Sequence, residues 1–196
     1  VGNLAIETAF GDVSAADAAF ADAHLVVAVT FRNQRIASAQ MEPRAAIAAY
    51  DEAQGIYTIV TGSQGAIRLR NTIAACLGVP PERVRAISHD VGGAFGMLSN
   101  TYPEQVMVAF AAAHVGRPVK WTADRAQAFL ADYQGRDLVT EARLALEADG
   151  RILALAVAMT GNIGAHPATY VPLSNAYRVT PTVYDIPVAT AAIRAR

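Results

Sequence analysis

The spacing of apolar positions changes several times along this chain, and each change marks an element. Residues 1–13 are polar and predict an entry segment without regular structure. The alanine-rich run Ala15 to Ala23 predicts a short helix capped by Ser14, with Asp17 near its positive end. β-Branched residues then dominate Leu25-Val26-Val27-Ala28-Val29-Thr30-Phe31, which predicts a strand within 24–38. Met41-Glu42-Pro43-Arg44 interrupts that pattern. It resumes as two strands, 45–50 and 56–61, around the turn Asp51-Glu52-Ala53-Gln54-Gly55. Ile67, Ile73, Ala74 and Leu77 recur at helical spacing, and Gly78 followed by Pro80 ends that helix.

The second half alternates in the same way. A strand over 83–89, a glycine-rich loop and a helix over 102–114 lead to a short strand at 119–122. Asp124 predicts the cap of a helix reaching Ala131, and strands over 137–147 and 151–160 meet at Asp149-Gly150, a strong hairpin signal. Residues 162–184, rich in Pro and Asn, predict irregular structure, and 188–196 predicts a strand. Helices mixed with hairpin-forming strands give an α+β fold with mixed sheets. The strand–loop–helix unit at 56–77 has the same outline as the one at 83–114. The loops around Gln64 and Phe95 are therefore expected to open on the same side of one sheet.

Composition narrows the function classes. Of 196 residues, 53% are apolar and 17% charged, with a net charge of −1, which describes a packed globular protein. No basic groove with interleaved aromatics points to nucleic acid, and no apolar run is long enough to cross a bilayer. The single cysteine, Cys76, allows no internal disulfide framework and no cysteine-ligated iron–sulfur cluster within this chain. A reducing cytoplasm is the expected compartment. The start at Val1 and the stop at Arg196, within a predicted strand, suggest a piece of something longer.

Chemistry concentrates at His89-Asp90-Val91-Gly92-Gly93-Ala94-Phe95-Gly96-Met97. Glycines let a backbone take positive φ and approach a partner closely, and successive turn amides can converge on an anion or oxo group. One reading is that Gly92, Gly93, Ala94 and Gly96 present N–H groups, and Phe95 an aromatic face, to a cofactor or substrate. The other is a tight turn whose Phe95 plugs the core. His89-Asp90 reads either as a metal or acid–base pair or as a structural strand end. Glu42 reads as a buried acid or, preferably, as an ion-pair partner; Trp121 and Tyr133 are expected to pack. Familiar signatures fail. Ser63 lacks the glycine of a nucleophile elbow, no lysine follows a glycine loop, and the glycine spacing at 92–96 is wrong for a dinucleotide fold. His24, His89, His114 and His166 form no metal-ligand pair at helical spacing, so no metal-ligating residues are assigned.

Six stretches in register resemble the molybdenum-binding large subunit of the xanthine dehydrogenase / aldehyde oxidase / carbon monoxide dehydrogenase family. They are 41–46 (Met-Glu-Pro-Arg-Ala-Ala), 62–65 (Gly-Ser-Gln-Gly), 90–96, 102–104 (Tyr-Pro-Glu), 116–121 (Gly-Arg-Pro-Val-Lys-Trp) and 133–136 (Tyr-Gln-Gly-Arg). The wording is most similar to bacterial large subunits of the carbon monoxide dehydrogenase type. The resemblance makes residues 1–196 part of a molybdopterin-binding domain. It implies oxidative hydroxylation of an aldehyde or N-heteroaromatic substrate with water, using molybdenum held by molybdopterin, in bacteria commonly the cytosine dinucleotide form. Electrons would pass to an iron–sulfur subunit and an FAD subunit. By the same resemblance Gln64 hydrogen-bonds an oxo ligand of the metal, Gly96 offers its backbone N–H to the apical oxygen, and Phe95 shapes the substrate side. Gly92, Gly93 and Ala94 let the loop approach the cofactor.

Three positions depart from the family pattern. Ile67 stands where many relatives have histidine, Leu98 where a lysine commonly follows the glycines, and Ser99 where purine-oxidising members have glutamate. The family's arginine loop and catalytic base glutamate are expected beyond residue 196, so catalysis by this chain alone is not expected. Two rivals remain: a degenerate domain that serves only in subunit packing, and a small-molecule binding module that has lost the chemistry.

Overall fold

A computed structural model describes residues 2–165, 171–181 and 183–196; His166 lies outside the described residues. In chain order the elements are β1 (Ile6–Phe10), α1 (Val13–Asp22), β2 (Leu25–Asn33), β3 (Ala45–Asp51), β4 (Ile56–Thr61), α2 (Ala66–Leu77), β5 (Val84–Ile87), α3 (Pro103–Val115), β6 (Val119–Thr122), α4 (Arg125–Ala131), β7 (Leu138–Leu146), β8 (Ile152–Gly161), α5 (Val171–Arg178) and β9 (Val188–Ala195). The α+β expectation holds. They divide into two compact units, one of Val1–Ile36 with Gly135–Arg196 and the other of Ala37–Gln134.

The first unit is a five-stranded sheet in the order β1-β9-β8-β7-β2, parallel only between β8 and β9. Its core gathers Leu138, Val157, Met159, Leu173 and Ile193. Three expectations are corrected here. The polar entry segment contains a strand, β1, whose Glu7 pairs with Arg194 at the far end of the chain. Local polarity cannot report so distant a partner. Helix α1 starts earlier than expected, because Asp12 rather than Ser14 is the cap: its carboxylate accepts the Ala15 N–H at 2.9 Å. Within the irregular stretch 162–184 lies helix α5. Its Pro172 sits in the first turn, where the missing N–H has no helical partner to lose.

The second unit is a four-stranded sheet in the order β5-β4-β3-β6. Alternation along β3 turns Ala46 and Ala48 inward, each at most 2% exposed. These small side chains meet Ala109 and Ala112 of α3, so that helix lies close against the strand, while Leu69 and Ile73 of α2 extend the same core over Ile59 and Val84. Within this sheet, β4 and β5 run parallel and the other pairs antiparallel. Parallel neighbours end at the same sheet edge, so the segments that follow them emerge side by side. Those segments carry Gln64 and Phe95, as the repeated outline of the sequence predicts.

Candidate functional site

The loop after β4 is short and held by hydroxyls. Ser88 Oγ accepts the Ser63 N–H at 3.1 Å, and Ser63 Oγ accepts the Gly65 N–H at 3.0 Å. Gln64 then joins this loop to its neighbour. Its backbone N–H donates to Leu98 O at 3.1 Å, and its Oε1 accepts from Gly96 N–H at 2.9 Å and from Ser99 Oγ at 3.3 Å. A backbone N–H can only donate, so the side-chain atom facing Gly96 is the carbonyl oxygen. The amide NH2 remains as the donating end of Gln64. The exposed side chain thus has a fixed orientation.

The loop after β5 is shaped by close approach. Gly92 N–H donates to Glu42 Oε2 at 2.6 Å, and Glu42 N–H donates back to Gly92 O at 3.2 Å. A Cβ on Gly92 would lie 2.7 Å from Glu42 Cβ. Gly93, at φ +111°, faces the Phe95 ring and Gln40 Cβ, which a Cβ would meet at 3.0 and 3.1 Å. A tight turn follows, with Met97 N–H donating to Ala94 O at 3.0 Å. Phe95 itself stands at φ +46° with 74% of its surface exposed. It does not plug the core. A bulky residue in left-handed backbone with its ring in solvent is unfavourable on both counts, and such features concentrate at functional sites. Gly96, at φ +92°, has open space where a Cβ would point.

Behind the glycine loop lies a buried polar cluster. The Arg44 side chain is 3% exposed, with Nε 2.5 Å from Asp132 Oδ1, Nη1 2.9 Å from Glu104 Oε2 and Nη2 3.3 Å from Glu104 Oε1. Its guanidinium carbon lies 3.7 Å from the centre of the Tyr102 ring and 5.1 Å from that of Trp121. Gln40 Nε2 donates to Asp132 Oδ2 at 2.7 Å, and Arg125 donates to Gln40 O and Met41 O, both at 2.6 Å. Burial pulls the Arg44 pKa down, but its bonds to Glu104 and Asp132 outweigh that and raise it. Burial likewise pushes Glu104 up, yet its hydrogen bond to Arg44 holds the carboxyl below the usual range. The Tyr102 hydroxyl, pushed up chiefly by burial, remains protonated.

This cluster corrects the expected ion pair of Glu42. Arg44 turns inward beneath Tyr102 and takes Glu104 and Asp132 as partners, leaving Glu42 to hold the Gly92 amide. Trp121 packs against the core and Tyr133 stacks on Tyr102 with ring centres 4.4 Å apart, as the sequence suggests. His89 and Asp90 are exposed and line an open cavity of about 230 Å³ with Glu42, Val60 and Lys120. Of the departing positions, Ile67 is 71% exposed in the first turn of α2, Leu98 is buried, and Ser99 reaches Gln64. Sequence reasoning missed Gln40, Tyr102 and Asp132 as supports of the loop. The runs 41–46 and 102–104 carried the signal of the cluster, through Arg44, Tyr102 and Glu104.

Comparison with known proteins bears on the whole chain. Residues 2–195 match the family model of the molybdopterin cofactor-binding domain. The carbon monoxide dehydrogenase large chain of Hydrogenophaga pseudoflava is 32% identical over 187 residues, which is 94% of this chain and 23% of that protein. Subunit gamma of the 6-hydroxypseudooxynicotine dehydrogenase complex of Paenarthrobacter nicotinovorans is 35% identical, over 82% of this chain and 20% of its own length. Among solved structures, quinoline 2-oxidoreductase from Pseudomonas putida 86 superposes with a TM-score of 0.91 at 28% identity, covering 100% of this chain and 25% of that one. The chain thus spans a quarter or less of the length of these three proteins. It belongs to the molybdopterin cofactor-binding domain family, the molybdenum-binding portion of large subunits of the carbon monoxide dehydrogenase and aldehyde oxidase type.

Proposed function

We propose that residues 1–196 form one wall of the molybdenum site in a molybdenum hydroxylase that acts on a nitrogen heterocycle or an aldehyde. The observation that carries this reading is the pairing of Phe95 with Gln64. An exposed ring in strained backbone sits in the loop whose next residue, Gly96, orients the Gln64 amide. The residues present suit such a group. Gln64 keeps a donating amide end, and Gly96 leaves open space beside it. Among the described residues no cluster of three His, Cys, Asp or Glu side chains could ligate a metal. A metal at this loop pair would have to bring its own ligands, as a molybdopterin dithiolene does.

When bound, the cofactor supplies the oxidative chemistry, with water as the source of oxygen. The residues of this chain position it. Gln64 would present its NH2 to the bound cofactor, a donor fixed in advance and so able to stabilise developing charge without reorganising. Gly92, Gly93 and Ala94 would keep side-chain bulk away from the cofactor face, and Phe95 would stack on or limit an aromatic substrate. Relatives named for quinoline and for a nicotine derivative favour the N-heteroaromatic class over aldehydes. The proposal further includes a cytosine dinucleotide form of the cofactor, iron–sulfur and FAD subunits as electron acceptors, and a cytoplasmic complex, as the family resemblance of the sequence implies.

The decisive experiment measures molybdenum and pterin in the full polypeptide that carries this chain, purified from its own host, alongside Gln64→Ala. Near one metal per polypeptide, with N-heterocycle oxidation lost in Gln64→Ala at unchanged thermal stability, is the expected result. A folded protein without molybdenum overturns the proposal. One observation favours a second reading, a packing domain without metal: Gly96 N–H is already satisfied by Gln64. That reading predicts that Gln64→Ala destabilises the loop and alters no activity.

A further inference from the structure

Tyr102 lies at the foot of the glycine loop and is 2% exposed. Its hydroxyl donates to Met97 O and accepts from Tyr133 N–H, each at 3.0 Å. The ring is held by the Arg44 guanidinium at 3.7 Å and by the Tyr133 ring at 4.4 Å, and Arg44 is itself fixed by Glu104 and Asp132. The hydroxyl is thus a stationary point, and one of its two partners belongs to the loop. Met97 directly follows Gly96, whose N–H orients Gln64, and Phe95 precedes it at φ +46°. Strained backbone persists only where its surroundings over-determine it. A residue needed only to fill the core and stack on Tyr133 would do so equally well as phenylalanine.

We propose that the Tyr102 hydroxyl is a positioning group, which ties Met97 down and so keeps Phe95 and Gly96 in the conformation that engages Gln64. The proposal rests on the reading of the two loops as the cofactor-facing wall. Tyr102 touches neither substrate nor cofactor in it; the effect runs through the loop backbone. Removing the hydroxyl would leave the ring and its stacking in place, while the Met97 carbonyl and the Tyr133 N–H would lose their shared partner.

Tyr102→Phe in the full polypeptide, assembled as purified from its host, tests this by amide hydrogen exchange, metal content and steady-state kinetics. The expected result is faster exchange at Gly96 and Met97 with α2 and α3 unchanged, molybdenum retained, and kcat lower by about tenfold, as misplacement of a positioned group causes. Unchanged exchange in the loop overturns the proposal, and so does faster exchange throughout the unit, which would make Tyr102 a core residue only. The double variant Phe95→Gly/Tyr102→Phe supplies a second measurement, because glycine occupies positive φ without strain. Its loop exchange should fall back toward that of the wild type. An increase as large as in Tyr102→Phe alone would show that the hydroxyl restrains no strain at Phe95. If the wild type holds no molybdenum, the family reading of the site fails by itself, and the exchange data still decide the tether.

Discussion

Two loops leave the same edge of one sheet, and they are built on opposite plans. The loop at Ser63–Gly65 exposes a side-chain amide and is held by two serine hydroxyls, its own Ser63 and Ser88 at the end of the neighbouring strand. The loop at 90–97 exposes backbone and one strained ring, and more supports converge on it: Glu42 and Gln40 from an earlier part of the chain, Tyr102 just past its end and, behind them, Arg44. A side chain can be aimed by its own rotamer and one hydrogen bond. A backbone segment with positive φ at three of four consecutive positions (Gly93, Phe95 and Gly96) has to be held in place by its surroundings. The comparison predicts that damage to the second loop is expensive and that damage to the first is cheap.

The largest effect is expected at the base of the second loop. Arg44→Met keeps the volume of the side chain but leaves Asp132 and part of Glu104 as buried carboxylates without their cation. Breaking such a pair from one side costs about 3–5 kcal/mol, and the midpoint of urea unfolding should fall accordingly. Acid attacks the same contact more gently. Glu104 titrates lower in the folded protein than in the unfolded chain, so its contribution to stability is complete above the unfolded value and disappears as pH falls through the folded one. Stability should therefore decline below about pH 4.5, and Glu104→Gln should flatten that decline. A Glu104→Gln variant as acid-sensitive as the wild type would remove this carboxylate from the account.

Next come the glycines of the second loop. In Gly92→Ala the new methyl would meet Glu42 Cβ at 2.7 Å, and Glu42 cannot retreat without releasing the Gly92 N–H it holds. Overpacking of this kind costs about 1–3 kcal/mol, and the loop should show it as accelerated amide exchange at 90–97. Gly96→Ala meets no atom at all, so its cost is the left-handed backbone alone, φ +92° for a residue with a Cβ, about 1–2 kcal/mol. Thermal unfolding of the two variants separates collision from strain. Equal losses would mean that the Glu42 contact relaxes freely.

How legible this was in the sequence depends on the range of the interactions involved. The turn at 51–55 between β3 and β4, helical spacing in α2 and the Asp149-Gly150 turn are local, and each predicted its element. The likeness of outline between 56–77 and 83–114 even placed the two loops on one edge, because parallel strands follow from it. What the sequence could not carry was anything that depends on a distant partner. Strand β1 is short and unremarkable until β9 is set beside it. Glu42 and Arg44, two residues apart, looked like partners for each other's neighbourhood, yet one holds a glycine amide and the other sinks under an aromatic ring. Phe95 was ambiguous between plug and platform, and its exposure excludes the plug.

The smallest expected effect completes the comparison. Gly65 lies beside Gln64 in the same position of its loop that a reader of glycine patterns would count as essential. Its φ is −174°, extended backbone open to any residue, and a Cβ there would find its nearest neighbour, Arg68 Cβ, at an ordinary 3.8 Å. Gly65→Ala therefore introduces no strain and no collision, and it removes conformational freedom from the unfolded chain. Such replacements stabilise by about 0.4–1 kcal/mol, which offsets the poorer capping of α2 by alanine than by glycine, so the thermal midpoint should change little while Gly92→Ala lowers it. The substitution also leaves the Gly65 N–H in place to donate to Ser63 Oγ. If Gly65→Ala proves as damaging as Gly92→Ala, the first loop is held as tightly as the second, and the contrast between an aimed side chain and a clamped backbone fails.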